Sequence, residues 1–406
     1  MTTSPAAPAA PRLTTPIVLL MSVATGLAVA SNYYAQPLLH TIGQQFALSN
    51  TEAGAIVTTA QLSYAAGLLL LVPLGDLFER RLLIVLMTLL SAAGLLVTAS
   101  AQVPAMIFVG TAITALLSVV AQVLVPFAAT LAHPAQRGKA VGTIMSGLLL
   151  GILLARTAAG ALADLGSWRT IYWVAAIALA ACAAALWRVL PRSRNDGERL
   201  SYPRLLGSIG QLLVQEPLFR GRAILGGLTF SLFSVLWTSL TFLLAGPAYG
   251  YSDSAIGLLG LAGAAGALMA TRAGQLADRG LGNLTTRWGL ALLLASWLPL
   301  ALGQQSIVAL VIGILVLDMA LQAVHVTNQS VIYRLRPDAR SRLTAGYMTV
   351  YFIGGAAGSL LSAGAYGLAG WPAVCALGAM LALAGVLYGW LSPACRIPDL
   401  PPRADA

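Results

Sequence analysis

Charge is what this sequence most lacks. Only 9% of its 406 residues are Asp, Glu, Lys or Arg while 58% are hydrophobic, and a soluble domain of that length would need far more charge facing water. Cysteine is scarce as well: Cys182, Cys375 and Cys395 show neither metal-ligand spacing nor a disulfide framework and read as small apolar packing residues. There is no P-loop, which removes direct ATP drive, and no HExxH or paired-cysteine motif, so no metal and no cofactor is expected. No nucleophile, base and metal converge at one depth, so no enzyme is expected. The apolar segments lack period-two alternation and are about twice the length of barrel strands, which excludes a membrane barrel. A net charge of +10 would suit nucleic acid, yet the basic residues form no patch with interleaved aromatics, so no nucleic-acid partner is expected.

What is present is a series of apolar runs, each long enough to cross a hydrocarbon core of about 30 Å as a helix of roughly 20 residues. They predict an all-α membrane protein with twelve spans, at 16–36, 52–74, 82–100, 105–128, 140–163, 169–190, 221–246, 253–272, 286–303, 306–330, 342–367 and 372–391. The organisation expected is a disordered tail (1–15), a six-helix half (16–190), a basic linker (191–220), a second six-helix half (221–391) and a tail (392–406). Arg12, an apolar stretch and Ala28-Val29-Ala30 resemble a signal peptide; cleavage there would leave eleven spans, so this stretch reads as an uncleaved first helix. With the N-terminus in the cytoplasm, all of the 23 Lys and Arg except Arg156 and Arg169 fall on the cytoplasmic side. That asymmetry predicts a multi-pass protein of a bacterial inner membrane with both termini inside.

The halves repeat at a spacing of 203 residues, pairing Ser49 with Ser252, Gly54 with Gly257, Gly110 with Gly313, Pro134 with Pro337, Arg137 with Arg340, Met145 with Met348, Gly151 with Gly354 and Trp168 with Trp371. Two similarly oriented halves imply a pseudo-twofold axis along the membrane normal, an arrangement seen in alternating-access transporters.

Two intramembrane charges stand out. Arg156 in span five lies twelve residues, about 18 Å of helix, from Trp168, too deep to snorkel. Span ten carries Asp318, Gln322, His325 and Gln329 on one face at i, i+4, i+7 and i+11, with Asp318 at a depth matching Arg156. Buried charge is costly in lipid and marks ion pathways, so we expect Asp318 and Arg156 to interact in one state, with proton binding at Asp318 relayed by His325. A structural hydrogen-bond network between helices is the alternative.

The loop after span two reads Pro73-Leu74-Gly75-Asp76-Leu77-Phe78-Glu79-Arg80-Arg81, and its counterpart reads Gly274-Gln275-Leu276-Ala277-Asp278-Arg279-Gly280. These segments resemble the major facilitator superfamily signature Gly-x-Leu-x-Asp-Arg-x-Gly-Arg-Arg, and the resemblance covers nearly the whole chain. The first copy departs from it at Val72, Leu77 and Glu79. The resemblance implies a cytoplasmic gate at Asp76, Arg80, Arg81, Asp278 and Arg279, since a carboxylate at a helix end can accept hydrogen bonds from a neighbouring helix and pair with Arg. Span five, with Gly147, Gly151, Gly160 and Trp168-Arg169, resembles the exporter pattern Gly-x-x-x-Gly-Pro-x-x-Gly-Gly, except that Arg156 and Ala155 replace its Pro and the Gly before it. Segments 32–39 and 155–157 resemble a drug and sugar efflux branch of proton-driven antiporters.

The resemblance further implies that spans one, four, seven and ten face the substrate. Asn32, Tyr34, Gln36, Gln122, Trp237, Thr238 and Gln322 are the expected cavity residues, suited to a modest, partly apolar solute held by stacking and sparse hydrogen bonds. Tyr33 and Tyr34 have a second reading as interfacial belt residues. The function expected is a monomeric, proton-coupled exporter of small organic solutes, with small-molecule substrate, protons and membrane lipid as partners. An uptake symporter for a sugar, nucleoside or organic acid and a non-transporting sensor are the alternatives.

Overall fold

A computed structural model describes residues 14–133, 136–193, 201–336 and 339–396, with only the backbone described for Asp76, Ala267 and Asp278. Most of the two tails expected to be disordered lies outside the described residues. Among those residues every regular element is helical. Ten helices are long and apolar enough to cross a membrane, and a pair bent by 41°, Thr15–Ala30 with Ala35–Phe46, adds an eleventh span. The helix Arg340–Leu391 is broken by non-helical backbone at Ala369 and Gly370, the latter at φ 66°, so it supplies spans eleven and twelve. The spans read from the sequence, 342–367 and 372–391, divide at the same place, where a glycine adopts that φ at little cost.

Span one is therefore Thr15–Ala30 plus Ala35–Phe46. Spans two to six are Asn50–Leu70, Arg80–Ala99, Pro104–Leu117 with Val120–Leu131, Arg137–Leu165 and Thr170–Val189. Span seven is Pro217–Ala245, span eight Asp253–Leu258 and Gly263–Asp278 around a 3₁₀ turn at Leu259–Ala262, span nine Gly282–Ala301 and span ten Ile307–Leu335. Loops after even-numbered spans share one end with the linker, the linker end, and loops after odd-numbered spans share the far end.

One expectation needs correction, and two elements gain detail. Span one does not stop near 36: the polar run Ser31 to Gln36 is a mid-span break, and the helix resumes to Phe46. Span eight is not one regular helix. The linker holds a helix, Tyr202–Gln215, whose Leu205, Ile209 and Leu212 are buried at one-face spacing.

The repeat is visible as equivalent packing. Ser49 caps span two by accepting from Glu52 N, and Ser252 caps span eight by accepting from Ala255 N. Gly147 and Gly151 lie against Ser22 and Gly26, bringing spans five and one together; Gly354 and Gly358 lie against Gly227 and Ser231, joining spans eleven and seven in the same way. In lipid, where water supplies no driving force between helices, such backbone approach is what small residues provide. Across the halves span two meets span eleven at Gly54 and Ala363, and span five meets span eight at Gly160 with Asp253 and at Gly257 with the Arg156 carbonyl.

Candidate functional site

The break in span one decides the depth of everything near it. Because the chain runs from Thr15 to Phe46, Tyr33, Tyr34 and Gln36 sit in the middle of the span and are buried. The belt reading of the two tyrosines is thus overturned, since belt residues stand at span ends. The two rings diverge. Tyr34 packs edge-on against Tyr172 inside the first half, whereas Tyr33 lies 5.0 Å from the Arg156 guanidinium.

Arg156 is 3% exposed. Its Nε donates to Gln36 Oε1 at 2.6 Å, and its guanidinium carbon lies 4.0 Å from the Trp237 ring centre and 5.4 Å from that of Phe233. Three rings around one cation form a cage in which the ring quadrupoles offset part of its lost hydration. Gln36 is fixed in turn from the other half, where Thr241 Oγ1 donates to its backbone carbonyl at 2.6 Å.

Asp318, 4% exposed, comes to the same locus from span ten. It makes no ion pair with Arg156 in this state; instead Trp237 stands between them, its Nε1 3.5 Å from Asp318 Oδ1 while its face receives Arg156. One indole thus touches the acid of the second half and the base of the first.

Span eight also borders this locus, and sequence reading missed it. A Cβ at Gly260 would lie 2.9 Å from that of Arg156, one at Gly263 would lie 3.7 Å from Asp318 Oδ2, and one at Gly266 would meet Gln322 Cγ at 3.0 Å. Gly257, Gly260, Gly263 and Gly266 recur every third residue, the period of a 3₁₀ helix, in which side chains at i and i+3 eclipse. That period was a usable signal.

The remaining expected residues divide. Asn32 donates to Ser118 Oγ at 2.8 Å and Gln122 Nε2 lies 3.5 Å from Tyr64 Oη, so both tie helices within the first half. Thr238 is buried where span seven crosses span two, its Cγ2 beside Gly54. His325 faces span eleven rather than Asp318: its Nδ1 is 3.0 Å from Tyr347 Oη and its ring centre 4.6 Å from that of Tyr351. Gln329, further along, meets Met348 Sδ at 3.9 Å. The polar face of span ten is therefore shared between spans seven and eight at one level and span eleven at the next. An aromatic row leads from Trp237 through Phe233 and Phe230 to Tyr351, the last two stacked at 4.1 Å; Tyr351 was not anticipated. Four polar atoms of spans one, five and seven are buried without a partner: Gln36 Nε2, Arg156 Nη2, Ser234 Oγ and Thr238 Oγ1. Buried polar groups are ordinarily satisfied, so these four are hydrogen-bonding capacity that the packed helices leave unused.

Of the expected gate, Arg80 Nε donates to the Gly75 carbonyl at 3.0 Å and Arg81 lies 4.3 Å over the Trp187 ring. Arg279 is exposed at the linker end. The Asp76 and Asp278 carboxylates lie outside the described side chains. Glu79, which replaces the family glycine, caps span three by accepting from Arg81 N, Leu82 N and Ser193 N. Burial alone would raise its carboxyl, but these N–H donors and the Arg81 charge outweigh that and hold it below the usual range.

Contacts between halves concentrate toward the far end: Thr41 Oγ1 with Asp253 Oδ2 at 2.7 Å, Ser254 N with Asp164 Oδ2 at 3.3 Å, Thr157 Oγ1 with the Gly257 carbonyl at 3.0 Å, and Thr58 with Ser359 hydroxyls at 2.8 Å. Span five pairs with span eight along Asp253–Ala262 and hardly with Gly263–Asp278.

The major facilitator superfamily model matches residues 21–295. The chain is 63% identical over 374 residues to the uncharacterized transporter YgaY of Escherichia coli O157:H7, covering 92% of this chain and 95% of that one. It is 30% identical over 281 residues to the inner membrane transport protein YnfM of Escherichia coli K12, covering 67% and 64%. In fold it is similar to a bacterial homolog of the human lysosomal transporter Spinster in an inward-facing, occupied conformation, with a TM-score of 0.71 at 15% identity over 92% of this chain and 94% of that one. Twelve spans in two repeated halves with a buried polar locus between them are what this match makes sense of: the chain belongs to the major facilitator superfamily and is a membrane transporter, not an enzyme.

Proposed function

We propose that this transporter is a proton-coupled exporter of small, partly apolar organic solutes, working by alternating access between its halves. The observation that carries the reading is the single locus at which Arg156 of the first half meets the face of Trp237 and Asp318 of the second meets its Nε1 edge. A carboxylate within the membrane needs its charge offset. Contact with Arg156 and a bound proton are two alternative ways to do so, and rocking of the halves changes which is in reach. Proton movement and helix movement then become one equilibrium. The aromatic row gives an apolar solute a stacking surface, and the four unpartnered polar atoms give it a few directional contacts.

The excess of basic residues in the linker and the loops that share its end supports an orientation with that end and both termini in the cytoplasm of a bacterial inner membrane. The present state, held together toward the far end, is then the one open to the cytoplasm. Asp76 with Arg80 and Arg81, and Asp278 with Arg279, latch that side shut in the opposite state, and His325 with Tyr347 passes protons along span ten. The protein works as a monomer.

Proteoliposomes with an imposed proton gradient test the coupling, once a susceptibility panel in an exporter-deficient strain has identified a solute. Asp318→Asn should retain solute binding and exchange while losing gradient-driven flux. Undiminished gradient-driven flux would remove Asp318 from the coupling, and accumulation in place of exclusion would reverse the direction of transport.

A further inference from the structure

A second buried arginine lies far from the Trp237 locus. Arg222, in the first turns of span seven, is 0% exposed. It donates through Nη1 to Thr286 Oγ1 at 2.8 Å and Asn328 Oδ1 at 3.2 Å, and through Nη2 to the Cys395 carbonyl at 2.5 Å, while its Nε has no partner. All three acceptors are neutral. A guanidinium removed from water and given only neutral oxygens keeps most of its charge uncompensated.

The surroundings add positive charge. Arg222 lines a polar cavity of about 150 Å³ at the linker end, together with Asn283, Thr286, Arg287, Cys395 and Arg396. Arg287 and Arg396 are exposed at its mouth. Among the described residues no carboxylate pairs with any of the three arginines. The cavity also sits at the start of span nine, Gly282–Ala301, whose first turn has no side-chain cap. The positive end of its dipole therefore lies beside the same space.

We infer that this cavity is a binding site for a phosphate-bearing anion, with Arg222 at its floor and Arg287 and Arg396 at its rim. Guanidinium groups match phosphate oxygens in geometry and charge, and the neutral contacts of Arg222 fix its charge at the floor of the cavity without cancelling it. Two sources share that chemistry: the headgroup of an anionic phospholipid and free inorganic phosphate. The aromatic neighbours favour the lipid, because Trp288 and Trp390, next in sequence to the lining residues Arg287 and Gly389, are exposed and suit the headgroup level of a bilayer. The site lies wholly in the second half, bounded by spans seven, nine, ten and twelve, so it does not depend on the coupling proposed for Asp318.

The test uses purified full-length protein in a neutral detergent at fixed ionic strength. Its unfolding midpoint is followed against dioleoyl phosphatidylglycerol, dioleoyl phosphatidylcholine and inorganic phosphate, for the parent and for the Arg287→Gln/Arg396→Gln variant. These two side chains are exposed, so the variant should fold. Phosphatidylglycerol or inorganic phosphate should raise the parent's midpoint while phosphatidylcholine leaves it unchanged, and loss of two rim charges should weaken the response roughly tenfold. A response to phosphatidylglycerol alone assigns the site to lipid; an equal response to inorganic phosphate assigns it to the free anion. Equal responses in parent and variant, or no response to either anion, would overturn the inference.

Discussion

Arg156 and Arg222 are both buried, both cationic and, among the described residues, both without an ion pair, yet they stand in opposite kinds of surroundings. Arg156 lies between the halves, held by one amide oxygen and a cage of three rings, with an acid beyond one of those rings. Gln36 and Tyr33 belong to its own half, but the Phe233 and Trp237 rings belong to the other. Arg222 lies inside one half, held by a hydroxyl, an amide oxygen and a backbone carbonyl that move with it. Stacking on rings tolerates sliding and reorientation, whereas three directed hydrogen bonds do not. The difference teaches that burial of a charge does not by itself mark a moving part; what marks it is whether its partners belong to the other rigid body.

Substitutions at four positions sharpen that contrast. The largest effect belongs to Arg156→Ala, which removes the cation facing Asp318 and leaves Gln36 Oε1 unpaired. Gradient-driven flux should fall about a hundredfold, equivalent to roughly 3 kcal/mol of lost coupling. Arg156→Lys should recover little of it, because a compact ammonium cannot stack on three rings at once. Flux measured in proteoliposomes within twofold of the parent would place Arg156 outside the cycle and dissolve the contrast.

Next comes Arg222→Met, an apolar side chain of similar length that strands the Asn328 and Cys395 oxygens. A loss of about 2–3 kcal/mol in stability is expected, since each unpaired buried acceptor costs about 1–3 kcal/mol. It should appear as a lower unfolding midpoint, larger than the shift produced by Arg156→Ala. A midpoint equal to the parent's would mean that the bonds to the C-terminal turn hold nothing.

The smallest effect separates two neighbouring glycines. Gly260→Ala drives a methyl to within 2.9 Å of the Arg156 side chain, while at Gly263 the nearest atom is 3.7 Å away, an ordinary contact. Flux should therefore drop about fivefold in the first, as expected for overpacking by roughly 1 kcal/mol, and remain close to the parent's in the second. Equal behaviour of the pair would show that span eight does not position Arg156.

How much of this was legible in the sequence follows from the physics of each feature. Apolar length and the positive-φ break near Gly370 are local properties, and the order of spans could be read from them. Arg156 and Asp318 announced themselves because charge at mid-depth is rare. The end of span one could not be read: Ser31 to Gln36 is polar enough to look like an interface, and only tertiary partners such as Arg156 for Gln36 and Ser118 for Asn32 reveal it as interior. Tyr33 and Tyr34 differ by one residue, about 100° of helix rotation, and no property of the two phenols says which faces the centre. Arg222 was absorbed into the charge asymmetry of loops because its position near a span start fits that rule, and its burial depends on a C-terminal turn folding back across span seven. The three-residue glycine period of span eight is a local feature and legible in the sequence, since it departs from the four-residue spacing by which glycines bring regular helices together.

That period has a mechanical consequence. The four residues Leu259–Ala262 are wound at three residues per turn while the helices on either side are wound at 3.6. Rewinding them to match would shorten the span by about 2 Å and turn Gly263–Asp278 by roughly 80° about its own axis. The glycine face, flat against Arg156 and Asp318 only while the tight winding persists, would then spiral away from both. Span eight is built like a screw thread with one turn of different pitch, and advancing that turn would lift it from the two charges without bending any helix.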